Sequence, residues 1–291
     1  MKTTSLVIAV FSMAVAISAC KKDKNETLDL AEDARIAYDN SVAEASFDNV
    51  SSVADEGYRL KENTSGASAS FIAGSVTNCL TITLDTVSNP HVLTLDFGNT
   101  DCLCKDGNYR RGKIIVSYTG HYRDSGHQHT ISFDNYFINF NKIEGTKTVV
   151  NNGHNSSGNL WFSITVSGSV TIDPQYSFNQ TGGTINYTSS RTREWIAGES
   201  TFAWNDDVYL ISGSASGTTT TGNAYSLSIQ AGQPLRLEIG FPHFVSGILE
   251  ITPQGKSTRY IDYSYLNNQR DNLALLTVNG QTRIITLGRR N

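Results

Sequence analysis

The stretch Leu160–Ile172, which reads LWFSITVSGSVTI, decides the fold of this chain of 291 residues. Its apolar or small residues occupy every even position, while Trp161 and a series of serines and threonines occupy the odd ones. Because successive side chains of a strand point to opposite faces, the alternation predicts one long β-strand with a dry face and a wet face. Antiparallel sheets routinely leave one face in water, so we expect hairpin partners on both sides.

Similar runs, separated by turn residues, follow one another from Leu80 to about Leu287, with no helical pattern between them. This arrangement predicts an all-β fold, a large antiparallel meander of roughly thirteen to fifteen strands that forms a β-sandwich or an open half-barrel. Four similar four-residue segments contain Gly145, Gly168, Gly213 and Gly247. We interpret them as a glycine stripe, where strands bend or another element packs close to the backbone.

The amino-terminal segment has the pattern of a lipoprotein signal peptide over residues 1–19. Lys2 precedes an apolar run, and Ile17-Ser18-Ala19-Cys20 matches the bacterial lipobox, so Cys20 is expected to carry the lipid at the start of the mature chain. Residues 20–26 would form a polar tether. Lys21 favours insertion of the lipid into the outer membrane, which is the expected partner of the anchor. The protein could then face either the periplasm or the cell surface.

A helical pattern then covers residues 27–57, where nine acidic residues lie between Glu26 and Glu56 and Arg35 is the only basic one. We expect either a solvated helix that caps one end of the sheet or an acidic helix that binds a partner. Gly57 is expected to end it. Residues 58–75 are predicted to be a linker, and residues 76–291 the antiparallel β domain.

The charge and the remaining cysteines restrict the classes of function. Charged residues make up 17% of the chain and its net charge is -4, so nucleic-acid binding is disfavoured. Cys79, Cys102 and Cys104 would lie in an oxidising compartment, where we expect Cys79 to pair with one of the other two. A site in which three thiolates hold a metal is the alternative.

Two histidines near a turn, His127 and His129, are weak candidates for a zinc site together with His121. The pattern of apolar residues argues against this site. Aligning Ile114, Val116 and Tyr118 with the apolar side of the following strand places His121 on the opposite face from the other two. The sequence therefore favours a plain hairpin, with neither a metal nor a cofactor.

Trp161, Arg191, Arg193 and Trp195 are candidates for a patch that binds a sugar or a peptide. The alternative is an ordinary surface, where the guanidinium groups of Arg191 and Arg193 stack on the Trp195 indole. Trp161 interrupts a hydroxyl-lined face, where it would be either covered by the helix or a binding platform. A further alternative is a glycan hydrolase with carboxylates chosen from Glu194, Glu199, Asp206 and Asp207, in a segment that also contains Trp204. No nucleophile elbow or phosphate-binding loop is found, so catalysis is not expected.

Several short segments of the sequence resemble those of a group of predicted Bacteroidota lipoproteins without an assigned role. The resemblance extends from about Cys79 to Leu287. The segments that carry it are Leu95-Asp96-Phe97-Gly98, Asp106-Gly107, Gly112-Lys113-Ile114-Ile115, Arg193-Glu194-Trp195-Ile196-Ala197-Gly198 and Asp207-Val208-Tyr209-Leu210. The resemblance implies that the cell surface is one location open to this protein, and it brings no assigned activity with it. Members often carry two further cysteines, near Gly240-Phe241 and Asn267-Asn268, and this chain has none there.

Three functions remain after the sequence analysis. The first is a non-catalytic envelope lipoprotein that presents a β-sheet surface to a protein or glycan partner. The second is a carrier of a lipid or another hydrophobic ligand, which an uncovered apolar face would favour. The third is the glycan hydrolase, which would need two of its carboxyl groups about 5 to 10 Å apart in a cleft.

Overall fold

The structure, a computed structural model, describes residues 30–62, 79–120, 124–176, 180–201, 206–239, 241, 243–265 and 272–286. The predicted signal peptide, Cys20 and the tether lie outside the described residues. So do residues 63–75 of the predicted linker, His121 and Trp204.

One long helix precedes a succession of strands, as the sequence predicted. Helix α1 is Leu30–Glu62. The strands are β1 Thr81–Asp85, β2 His91–Asp96, β3 Cys102–Leu103, β4 Tyr109–Tyr118, β5 Gln128–Ile138, β6 Asn141–His154, β7 Leu160–Ile172, β8 Gly183–Ala197, β9 Val208–Thr218, β10 Ala224–Ile229, β11 Leu235–Glu238, β12 Ile248–Pro253, β13 Arg259–Asp262, β14 Leu273–Val278 and β15 Gln281–Thr286.

The fifteen strands in the described residues all belong to one open antiparallel sheet, which confirms the predicted meander. The main path follows the chain order from β1 to β15, while β3 pairs only with β4 and β11 pairs with β9. Because the strands form one sheet, the helix rather than a second sheet supplies the other layer of the fold. No helix in the described part of the chain is both long enough and apolar enough to cross a membrane.

Strand β7 has the predicted two-sided character. It pairs along its length with β8, from Leu160 opposite Trp195 to Ile172 opposite Gly183. Leu160, Phe162 and Val170 are buried, while Thr165 and Ser167 are exposed. The alternation read from the sequence therefore separates an inner face from an outer face at the centre of the sheet.

Helix α1 lies across the inner face and crosses the strands from β13 to β2. Ile36, Phe47 and Val50 are almost completely buried and belong to the main core. A methyl group on Gly168 would lie 2.7 Å from the Phe47 ring and 2.3 Å from the Glu144 carbonyl oxygen. The predicted close approach at this glycine is confirmed, because only a residue without a side chain lets the helix rest on β7.

The helix extends past Gly57, where the sequence analysis expected it to end. A methyl group on Gly57 would lie 2.3 Å from Leu95 Cδ2. The glycine therefore permits close contact between the helix and β2, and this contact explains why it is found inside a helix rather than after one.

Several acidic residues of the helix face the sheet, so the helix is not the solvated cap that was one of the two expectations. The other expectation, a helix that binds a partner, stays a prediction. Basic residues of the inner face form ion pairs with them, and Glu44 of α1 pairs with Arg191 of β8. The other pairs are Glu32 with Lys256, Asp33 with Arg259 and Asp48 with Lys147. The helix is therefore fixed to one face of the sheet by charge pairing as well as by apolar packing.

Candidate ligand-binding face

The outer face of the sheet, the side opposite α1, carries an unbroken array of short hydroxyl side chains. They form two adjacent rows that run across the strands, seven residues in each row. One row is Ser117, Thr130, Thr148, Thr165, Ser190, Ser214 and Ser228, from β4 to β10. The other is Ser132, Thr146, Ser167, Thr188, Ser216, Ser226 and Thr252, from β5 to β12.

The array is a direct consequence of strand register. Thr165 lies opposite Ser190, and Ser190 lies opposite Ser214. Neighbouring strands are about 4.8 Å apart, so the hydroxyl groups of a row repeat at that interval. Some also bond to one another, such as Thr188 Oγ1 and Ser216 Oγ at 2.9 Å. The outer face is therefore a regular surface of groups that both donate and accept hydrogen bonds.

A groove of about 550 Å³ lies on the part of this array formed by β8, β9, β10 and β12. Its lining is Thr188, Ser189, Ser190, Ser214, Ala215, Ser216, Ser226, Leu227, Ser228 and Thr252. None of these residues is ionisable, although Glu250 lies nearby and accepts a hydrogen bond from Ser228 Oγ at 3.0 Å. The groove therefore suits a neutral ligand that is rich in hydroxyl groups.

The predicted binding patch does not form one surface. Trp161 is on the outer face, whereas Arg191, Arg193 and Trp195 are on the inner face, because Trp161 pairs with Glu194 and the other three alternate with it along β8. The expectation that α1 covers Trp161 is therefore wrong, since the helix is on the other side of the sheet.

The three inner residues have structural contacts. The Arg191 side chain is 10% exposed and pairs with Glu44. Arg193 lies over the rings of Phe162 and Tyr209, with its guanidinium carbon 5.1 Å and 5.0 Å from their centroids. Trp195 is 5% exposed and belongs to a second, smaller core cluster. Sequence alone does not distinguish these residues from a surface patch, because arginine and tryptophan suit both settings.

The four candidate carboxylates of a hydrolase have separate local contacts. Glu194 accepts hydrogen bonds from Asn155 and Asn159, and Glu199 Oε1 lies 2.8 Å from His154 Nε2. Asp206 accepts a hydrogen bond from Thr201, and Asp207 accepts one from the Tyr209 hydroxyl at 3.0 Å. These contacts hold the carboxylates in turns and at strand ends.

The histidines take part in the β4–β5 hairpin. Val116 pairs with Ile131 and Tyr118 with His129, so the predicted alignment of the two apolar faces is confirmed. His127 Nδ1 lies 3.2 Å from Thr119 Oγ1, and His129 Nε2 lies 3.0 Å from the Gly120 carbonyl oxygen. Among the described residues, no cluster of three or more His, Cys, Asp or Glu side chains is arranged to hold a metal.

Among the cysteines that the structure describes, Cys79 and Cys102 form a disulfide. Cys104 is buried and remains a free thiol. It lies within hydrogen-bonding reach of Arg110. The Arg110 side chain is fully buried and makes a two-point contact with the Asp106 carboxylate at 2.6 and 2.8 Å. The structure thus selects one of the two pairings that the sequence left open.

Sequence reasoning missed the extent of the hydroxyl array. It noted the hydroxyl side of β7, but the same Ser/Thr alternation is present in β8, as Thr184, Thr188 and Thr192, and in β9, as Ser212, Ser214 and Ser216. That signal could have been found strand by strand. The register, which aligns the hydroxyl positions into rows, is a property of the assembled sheet.

No protein-family model, curated protein or solved structure matches this chain. The resemblance to predicted Bacteroidota lipoproteins therefore stays a prediction.

Proposed function

We propose that this protein is a non-catalytic lipoprotein of the cell envelope, anchored to the outer membrane through Cys20, that binds a neutral glycan on the outer face of its sheet. The observation that carries the proposal is the pair of hydroxyl rows with the uncharged groove that lies on them. In this proposal the binding surface is the groove on β8, β9, β10 and β12.

The chemistry of the array matches that of a polysaccharide. Each serine or threonine hydroxyl donates one hydrogen bond and accepts others, as each sugar hydroxyl does. A hydrogen bond of this kind contributes about 0.5–1.5 kcal/mol net, so useful affinity requires several in parallel. Regularly repeated hydroxyl groups supply them to a ligand that is itself a chain of similar units.

The alternative of a hydrophobic-ligand carrier has less support. Such a carrier needs an accessible apolar face. Here α1 lies on the inner apolar face, with Phe47 packed against Gly168 and Gly57 against Leu95. The polar outer face offers a surface to a ligand without displacement of the helix.

The test is the binding of neutral oligosaccharides to the acylated protein in detergent micelles. Isothermal titration with cellohexaose, laminarihexaose, maltohexaose and N-acetylchitohexaose is expected to give binding with at least one of them. Ser214→Arg, which places a long charged side chain in the groove, is expected to weaken that binding at least tenfold.

Thr83→Arg is the matched control, because Thr83 is an exposed hydroxyl residue on β1, at the far edge of the sheet. It is expected to leave the affinity unchanged. Failure of the wild-type protein to bind any of the four oligosaccharides, or equal binding by Ser214→Arg, would overturn the proposal. Binding of a purified envelope protein instead, abolished by Ser214→Arg, would replace the glycan by a protein partner.

A further inference from the structure

A tryptophan and a carboxylate face one another at one end of the outer face. Trp161 on β7 is directly opposite Glu194 on β8, and both side chains are partly exposed. Side chains opposite each other on one face of an antiparallel pair have Cβ atoms about 5 Å apart. An indole plane and a carboxylate are therefore available side by side to the same ligand.

The Glu194 carboxylate is held in place by the turn between β6 and β7. Its Oε1 accepts a hydrogen bond from Asn155 Nδ2 at 2.7 Å and another from Asn159 Nδ2 at 2.8 Å. Asn155 is itself fixed, because its Oδ1 accepts hydrogen bonds from the backbone N–H groups of Ser157 and Asn159 at 3.0 Å. This carboxylate is therefore oriented before any ligand arrives, which reduces the entropy that binding would cost.

Only one oxygen of Glu194 is engaged in these contacts. Within the described part of the chain, no group donates a hydrogen bond to Oε2. The side chain is partly exposed, so Oε2 can accept hydrogen bonds from a ligand beside the indole. A charged acceptor makes stronger hydrogen bonds than a hydroxyl does, roughly twice as strong.

The pair is continuous with the hydroxyl array. The next row toward the groove is Ser163, Thr192 and Ser212, on β7, β8 and β9. Ser163 Oγ accepts a hydrogen bond from Asn152 Nδ2 at 2.9 Å, which orients it. A chain-like ligand that crosses the two rows in the direction of the strands can therefore reach Trp161 with its end.

We propose that Trp161 and Glu194 form an end subsite for a neutral pyranose with equatorial hydroxyl groups. This inference rests on the glycan-binding function proposed above. The indole stacks on the C–H face of the sugar ring, and Glu194 Oε2 accepts hydrogen bonds from one or two adjacent hydroxyl groups. Because the subsite carries a negative charge, it disfavours a sugar that ends in a carboxylate, such as a uronic acid.

The inference is tested with whichever of the four hexaoses binds the wild-type protein. Trp161→Ala is expected to weaken binding about tenfold, because it removes an aromatic contact and its buried area. Trp161→Phe keeps an aromatic plane and is expected to stay within about threefold of wild type. A chemically oxidised hexaose with a glucuronic acid at its non-reducing end is expected to bind wild type more weakly than the neutral hexaose.

Glu194→Gln tests the carboxylate without a change of shape. It is expected to weaken binding of the neutral hexaose about fivefold. The amide oxygen of Gln accepts the hydrogen bonds from Asn155 and Asn159, so an NH2 donor replaces the charged acceptor Oε2. The variant is also expected to remove the discrimination against the uronate-ended hexaose. Thermal unfolding of each variant separates lost binding from lost folding, and Glu194→Gln remains informative if Trp161→Ala does not fold.

The outcomes distinguish this inference from the proposed function. If no hexaose binds the wild-type protein, both fail together. If a hexaose binds and Ser214→Arg abolishes binding, while Trp161→Ala and Glu194→Gln bind as wild type does, the end subsite alone is overturned. Binding of choline to wild type, lost in Trp161→Ala and not displaced by any hexaose, would also overturn it in favour of an ammonium ligand.

Discussion

Glu44 Oε1 lies 2.5 Å from Nη2 of Arg191, and this contact joins the middle of the helix to the centre of the sheet. The hydroxyl group of Tyr187 donates a second hydrogen bond to the same oxygen at 3.1 Å. The Arg191 side chain is 10% exposed and that of Glu44 is 23% exposed, so the pair is largely removed from water. Removing one partner would leave a buried charge without compensation.

Glu44→Ala is therefore expected to lower the free energy of unfolding by about 3 kcal/mol. Urea denaturation followed by circular dichroism measures the change. The double variant Glu44→Leu with Arg191→Met is expected to recover most of the loss, because it replaces the pair by apolar groups. A single variant as stable as wild type would mean that the ion pair does not hold the helix on the sheet.

The contact between Phe47 and Gly168 predicts a steric effect. Gly168→Ala would place a methyl group 2.3 Å from the Glu144 carbonyl oxygen and 2.7 Å from the Phe47 ring. The strand or the helix must move, at a cost of about 2 kcal/mol in unfolding free energy. Ser167→Ala, at the neighbouring exposed position, is the control and is expected to stay within about 0.5 kcal/mol of wild type.

The raised pKa of the buried Asp39 carboxyl group predicts an effect of pH on stability. It is 1% exposed, and burial raises its pKa, although hydrogen bonds from the Thr220 N–H at 2.7 Å and hydroxyl at 2.9 Å oppose the shift. Between the ordinary carboxyl pKa of 3.8 and the raised one, the folded state binds a proton that the unfolded state has released. This contribution to stability is fully present below 3.8 and is lost as the pH rises through the raised pKa.

Asp39→Asn removes this titration. The stability of wild type relative to Asp39→Asn is therefore expected to increase as the pH is lowered from 7 towards 4, and urea midpoints of both proteins at several pH values measure it. A difference that stays constant with pH would contradict the raised pKa of Asp39.

The disulfide between Cys79 and Cys102 predicts a dependence on reductant. The two cysteines are 23 residues apart, and a cross-link of this length stabilises a protein by about 3 kcal/mol. Cys79→Ala with Cys102→Ala is expected to lower the unfolding free energy by about that amount and to make it independent of dithiothreitol. Cys104→Ala is the control and is expected to keep the full response to reductant, because Cys104 is a free thiol. If Cys104→Ala no longer responded to dithiothreitol, the disulfide would be formed by Cys104 instead.

The alternation of apolar and polar side chains along the strands was the feature of this fold that the sequence predicted directly. Leu160, Phe162 and Ile164 repeat every second residue, and this local period specifies a strand and its two faces. Because the sequence shows no helical pattern between the predicted strands, antiparallel pairing in chain order followed as well. The disulfide could be narrowed to two pairings but not to one, since the choice depends on how β3 lies beside β4.

The helix and the binding patch were misjudged for a common reason. A run of acidic residues suggests an exposed helix unless basic residues are known to face it, and Arg191 and Arg259 come from strands far along the chain. Likewise, arginine and tryptophan side chains occur both at protein surfaces and in cores, so the residue types of Arg193 and Trp195 did not show which setting they occupy. Which face of the sheet receives the helix is a question of long-range packing, and local composition does not contain it.

The sequence by itself determined the strands, their order and the two-sidedness of the sheet, because side-chain periodicity acts within a few residues. Tertiary structure alone decided that α1 covers the inner face and that the outer hydroxyl groups align into rows. It also decided that Trp161 lies beside Glu194 rather than beside Arg193. The reason is that strand register and helix placement are selected by contacts between residues distant in the chain, such as Phe47 with Gly168.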